Sequence, residues 1–272
     1  MTIKNILVSF NGGAPAISAL QMALKLAARS EAHITGVLAH GLPNMLYAYG
    51  GHVPQAAMDQ LEEADKQHRD EVRVKFMQMT AEQPASRIHF QDIYGEADEM
   101  LMAAALGYDL VVMGPPEKSP NFPHMEAHAD VVARNSGKPV LLVPLGYDAG
   151  DFNSRVLLAW DGKRAASRAL SEVMRLTEPG AKVSVLCIGE PDAAAKKAAP
   201  AVLQLERHGF EASLVTKKAR KIAKAILAAA KEQDAGLLAM GAYEHAKLAE
   251  DLFGGVTNTV LKKAKMPVLL SH

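Results

Sequence analysis

The chain has 272 residues, 49% apolar and 22% charged, a balance that excludes a disordered polymer and suits two packed domains of ordinary size. Lys plus Arg and Asp plus Glu are equal at 30 each, so no net field draws the protein to nucleic acid or an anionic membrane. The charge is uneven, however: residues 1–150 hold 11 basic and 17 acidic side chains, about −6, against 19 and 13, about +6, for the remainder.

The first predicted elements lie in "NILVSFNGGAPAISAL" (5–20), which aligns without a gap on "RVLLAWDGKRAASRAL" (155–170). Each gives a short apolar strand, an Asn or Asp, a Gly, then a helix. "YDLVVMG" (108–114) matches "AGLLAMG" (235–241), and "GKPVLLVP" (137–144) matches "KMPVLLSH" (265–272), in the same order. The chain therefore repeats one unit twice. Strands are predicted at 5–10, 33–39, 87–94, 109–113 and 139–143, then at 155–160, 182–188, 212–216, 236–240 and 267–270. Runs such as "LVVM" and "LLAM" are apolar at every position, as strands covered on both faces must be. Helical spacing between the runs places Ile17, Leu20, Leu24, Ala27 and Ala28 on one face of the first helix. The pattern is α/β: two tandem doubly wound domains, each a five-stranded parallel sheet with helices on both faces. The segment "LGYDAGDFNS" (145–154) reads as the linker, giving domains 1–150 and 151–272. Only the first half carries an insertion, "PNMLYAYGGHVP", followed by a long helix, and that insertion reads as loop packing, a lid or a docking surface.

In an open parallel sheet a ligand binds beyond the carboxyl ends of the strands, where the strand order reverses. Asp161-Gly162 and Gly241 end two such strands in the second half. After Gly241, a loop of a dozen residues leads into "FGGVTNTVLKKA", where a helix starts at a glycine pair with Thr257 in its first turn. Free amides, the positive end of a helix dipole and the absence of Cβ atoms suit a phosphate.

This combination resembles the universal stress protein family, in its tandem form. The ATP-binding members carry Gly, two residues, Gly, nine residues, then Gly, a small residue and Val-Thr. Gly241, Gly254, Gly255, Val256 and Thr257 fit that spacing. The resemblance implies a stress-response regulator in which Asp161 meets the ribose, Cys187 and Met240 surround the base, and Ala159 also binds the nucleotide. The amides of Gly241, Gly254, Gly255, Val256 and Thr257 would hold the phosphates of ATP, with Mg as a possible companion. It implies binding without significant turnover, an internal pseudo-dimer through the last strand of each half, and a possible homodimer. Glu244 stands where the motif has its second glycine, and a carboxylate there would repel a triphosphate by roughly a few kcal/mol. The first half departs further: Asn11 replaces the aspartate, and "PPEKSP" follows Gly114, with prolines that have no N–H to offer. A nucleotide-free protein- or metabolite-binding module and a slow metal-dependent ATPase remain the alternatives.

Other candidates read as structural. Cys187, the single cysteine, sits in the apolar run "KVSVLCIG" and excludes an intrachain disulfide. "HMEAH" places His124 and His128 four residues apart, read as exposed histidines beside a helix start rather than metal ligands. "KKARK" (217–221) reads as a solvated helix start, and Trp160 as core. Signatures of hydrolases, P-loop enzymes and related nucleotide enzymes are missing. No run of about 18 apolar residues is present, and a cytoplasmic protein without membrane or nucleic-acid partners is the expectation.

Overall fold

The computed structural model describes residues 3–41, 54–117, 122–148, 150, 152–242 and 255–272. The first half contains strands β1 (Asn5–Ser9), β2 (His33–His40), β3 (Ile88–Tyr94), β4 (Leu110–Met113) and β5 (Val140–Leu142). Its helices are α1 (Ala14–Ser30), α2 (Gln55–Met79), α3 (Ala97–Ala105) and α4 (Ala129–Asn135). The second half contains β6 (Arg155–Ala159), β7 (Lys182–Ile188), β8 (Glu211–Lys217), β9 (Leu237–Gly241) and β10 (Val268–Ser271). Its helices are α5 (Arg164–Leu176), α6 (Pro191–Arg207), α7 (Ile222–Glu232) and α8 (Gly255–Lys263).

The ten strands form one sheet in the order β3-β2-β1-β4-β5-β10-β9-β6-β7-β8. Within each half every neighbouring pair is parallel. The halves meet antiparallel, Val140 opposite Leu270 and Leu142 opposite Val268, which is the pairing of last strands that the tandem resemblance implied. Pro139 and Pro267 lie just outside β5 and β10 because they lack an N–H for the ladder. Their carbonyls still accept, at 3.0 Å, from the amides of Val111 and Leu238.

Alternation along each strand sorts the core into two layers. Ile6, Val8, Val156 and Leu158 point to the face covered by α1, α2, α5 and α6. Leu7, Val111, Leu157 and Leu238 point to the face covered by α3, α4, α7 and α8. One expectation is corrected here. On α1, Ala28 is exposed and Ile17 and Leu24 are only half-buried, whereas Ala16, Ala19, Met22, Ala23 and Leu26 are buried. Alanines face the sheet because they let the helix axis come close.

The segment around the linker is packed rather than loose. Phe152 is 2% exposed, Asn153 accepts from Arg29 of α1 and donates to the Leu176 carbonyl, and the Tyr147 hydroxyl donates to the Gly236 carbonyl. Arg175 of α5 reaches Asp109 just before β4 at 3.2 Å. Polar staples therefore reinforce the strand pairing between the halves.

Candidate functional site

The strand order reverses at β6, which is flanked by β9 on one side and β7 on the other. Register sets Ala159 opposite both Met240 and Leu186, so Ala159, Met240 and the neighbouring Cys187 share the carboxyl edge of three adjacent strands. Since β9 and β10 are parallel, the helix that joins them, α8, begins at that same edge. It opens with exposed Gly255, then half-buried Val256 and buried Thr257. Its first turn contains no acidic residue, which leaves the positive end of the helix dipole uncompensated from within the helix. The structure thus gathers Ala159, Asp161, Cys187, Met240, Gly241, Gly255, Val256 and Thr257 around one edge. Gly254 and Glu244 lie outside the described residues.

Asp161 is exposed, and its Oδ1 accepts from the Lys163 amide at 3.0 Å. Gly162 follows at φ +76, a conformation that favours glycine. The first half builds the same turn: Asn11 Oδ1 accepts from the Gly13 amide at 3.1 Å, and Gly12 has φ +80. The shared Asn or Asp is therefore explained by a side-chain turn. What distinguishes the second half is its negative charge.

Gly241 also has a structural explanation. A Cβ there would lie 2.7 Å from the Ala166 amide nitrogen and 2.8 Å from the Ala165 carbonyl carbon. Gly114 stands in the same relation to the Pro15 carbonyl at the start of α1. In both halves the bare backbone ending the fourth strand admits the first turn of the helix that follows the first strand.

Cys187 is 1% exposed. Burial pushes its thiol up, Lys197 pulls it down and Asp161 pushes it up again, so the group is a buried, protonated thiol rather than a nucleophile. The Trp160 indole donates to the Lys197 carbonyl at 3.0 Å and its ring packs against the core. Lys197 itself gave no signal in the sequence. Its Cγ and Cδ lie 2.9 and 3.2 Å from where a Cβ on Gly162 would sit, so an α6 side chain crosses the turn beside Asp161. Only tertiary packing brings it there.

The corresponding crevice of the first half is filled. Ser9, Asn11, Pro15, Met113, Gly114, Glu117 and Glu126 enclose a cavity of about 20 Å³, room for about one water molecule. The Glu117 carboxylate lies against Gly13 at the start of α1, and the Glu117 amide donates to Glu126 Oε1 at 2.6 Å. Carboxylates stand where an anion would have to dock.

Of the histidine pair, His128 is exposed beside a helix start as expected, but His124 departs from expectation. His124 and His128 share no helix: His124, with a side chain 6% exposed, sits in a short 3-10 turn (Pro123–Met125) against Asp65 of α2, and His128 precedes α4 and pairs with Asp98 of α3. The His124 side chain is thus buried against a carboxylate, not exposed. "KKARK" leads into a helix as expected, with Lys221 the N-cap of α7 and Lys218, Arg220 and Lys221 exposed, but its first residue, Lys217, ends β8 and pairs with Glu232, and Lys218 pairs with Glu190. Among the described residues no group of three or more His, Cys, Asp or Glu is disposed to hold a metal, and no helix is long and apolar enough to cross a membrane.

A doubly wound parallel unit repeated in tandem, with a helix N-terminus at its switch point, is the α/β class in which the crevice beyond the carboxyl ends of the strands is where a ligand would sit. The sequence model described as the Universal stress protein family matches residues 2–144 and 189–272, and the chain belongs to that family. It is similar in structure to a universal stress protein of Archaeoglobus fulgidus DSM 4304, with a TM-score of 0.77, 17% identity, and coverage of 99% of this chain and 96% of the other. A protein of unknown function from Pseudomonas aeruginosa PAO1 gives a TM-score of 0.57 at 15% identity, covering 99% and 92%. No curated protein matches.

Proposed function

We propose that the second half binds an adenine nucleotide, ATP in the first instance, as a regulatory ligand in a stress response, with little or no turnover. The observation that carries this reading is the placement of the α8 N-terminus, free of acidic residues in its first turn, at the carboxyl edge shared by Ala159, Cys187 and Met240. In this reading the second carboxylate oxygen of Asp161 meets the ribose hydroxyls. Ala159, Cys187 and Met240 wall the base. The amides at Gly241, Gly254, Gly255, Val256 and Thr257 take the phosphates, and Mg arrives with the nucleotide. Lys197, whose side chain crosses the Gly162 turn and acts electrostatically on Cys187, adds a positive charge on the ribose side. The carboxylate-filled crevice of the first half restricts binding to one site per chain.

Calorimetric titration of the full chain with ATP, with and without magnesium, combined with an assay for released phosphate, tests this. One saturable site per chain without phosphate release is expected. Silence in both titrations overturns nucleotide binding, and steady release makes the protein an ATPase instead.

A further inference from the structure

Helix α2, 25 residues long against 17 for its counterpart α6 in the second half, is docked through a histidine-rich seam. Of its residues only Val72 and Phe76 are buried. Phe76 packs edge-on to Phe10 and against Phe90, each with ring centroids 5.3 Å apart. Val72 abuts Gly12, and the Lys75 ammonium donates to the Gly12 carbonyl at 2.9 Å. The helix therefore lies over the Asn11–Gly12 turn that walls the first half's crevice.

Arg73 lies over the Phe90 ring, and the polar contacts gather around His40 at the end of β2. Its Nε2 lies 2.9 Å from Arg69 Nη1 of α2 and 2.8 Å from Asp92 Oδ1 of β3, with Arg69 Nη1 also 3.7 Å from Asp92 Oδ2. One ring nitrogen cannot serve both partners. In the neutral ring with its hydrogen on Nδ1 it accepts from the guanidinium; in the imidazolium it donates to the carboxylate and the ring's charge repels the arginine. Around it stand Asp65 of α2, His124 of the 3-10 turn, and the Tyr94 ring of β3 in an edge contact. His124 Nε2 is 3.0 Å from Asp65 Oδ2. His68 of α2 stacks on Phe122 at 3.9 Å, with Glu71, Asp65 and His124 facing it and the Asn11 backbone in reach. The Nε of Arg69 is buried without a hydrogen-bond partner.

We propose that α2 is an acid-released cover of the first half's crevice, switched by the proton on His40 Nε2. Burial lowers the proton affinity of His40, Asp92 raises it and Arg69 lowers it again, with a net lowering. Burial likewise lowers His68. Groups whose pKa is lower when docked cost nothing above the free-histidine value near 6.5, and the docked state weakens as pH falls through that value towards the folded one. Release bares Phe76, Val72 and the Asn11–Gly12 turn, creating an apolar surface at acid pH.

The test is amide hydrogen exchange of the full chain at pH 7.5 and 5.0, corrected for the intrinsic pH dependence of exchange. Peptides spanning 55–79 are compared with those spanning β4 and β9. Each proton taken up on release multiplies the open population by up to about tenfold per pH unit. The expected result is at least a tenfold loss of protection confined to α2. His40→Gln removes most of that response, and Arg69→Gln, which keeps a donor but not the charge, reduces it. Unchanged α2 protection at pH 5.0, equal loss in β4 and β9, or a full response in both variants overturns the proposal.

Discussion

Gly241→Ala separates the two reasons for a glycine at the end of β9. The added methyl would sit 2.7 Å from the Ala166 nitrogen and 2.8 Å from both the carbonyl carbon and Cβ of Ala165, roughly 1 Å inside the ordinary contact distance. Neither neighbour can rotate away, since two of the three atoms are backbone and the third is a Cβ. Relief requires α5 to shift on the sheet. Overpacking of this kind costs about 1–3 kcal/mol, and in a protein this size each kcal/mol lowers Tm by about 2–4 °C, so thermal unfolding followed by circular dichroism should drop by roughly 2–12 °C. Gly114→Ala, against the Pro15 carbonyl, should behave alike. Gly107, where an added methyl would have nothing within 4 Å, is the control, and Gly107→Ala should stay within about 0.5 kcal/mol of the parent. If Gly241→Ala melts with the parent and loses only ATP binding, the packing argument is wrong and the glycine serves the ligand.

Asp161→Asn should keep the fold, because Asn11 makes the same turn in the first half, while weakening ATP about tenfold, or about 1.4 kcal/mol; calorimetry and a melting curve read the two effects apart. Asp109 accepts from the amides of Lys4 and Asn5 at 2.8 and 3.0 Å. Burial raises its pKa, but those amides and Arg175 outweigh burial and hold the carboxyl below its usual value. Its contribution is complete above the unfolded pKa near 3.8 and is lost as pH falls through the folded value. Asp109→Asn should therefore cost about 1–2 kcal/mol at pH 6, and that gap should close in acid when urea midpoints are compared. Cys187 should react with a thiol reagent roughly a hundredfold more slowly in the native protein than in denaturant, since burial suppresses both access and thiolate.

The repeat is legible because each half must solve the same packing problem with the same pattern: "LVVM" and "LLAM" sit between two helical layers, and only apolar residues are tolerated there. Strand ends are legible to within a residue or so, the prolines marking where ladders begin. The α1 face is not, because side-chain size is a poor guide to burial where close helix packing selects Ala19 and Ala23. The burial of His124 is hidden because its partner, Asp65, is 59 residues away on another element. In the candidate site, strand ends and the α8 start follow from local pattern, but Lys197 reaches Gly162 only through the packing of α6. The charge that Glu117 lays against α1 is equally hidden, since nothing in "PPEK" announces where that carboxylate turns.

The antiparallel β5·β10 junction has a consequence for the nascent chain. Until residues 268–271 emerge from the ribosome, β5 and β9 each present an unpaired, wholly apolar rim to the surrounding solution, the kind of rim that recruits stray strands from other polypeptides. Strand β10 closes both rims at once. Deleting those few residues would reopen the middle of the sheet rather than its margin, and clumping rather than mere loosening should follow.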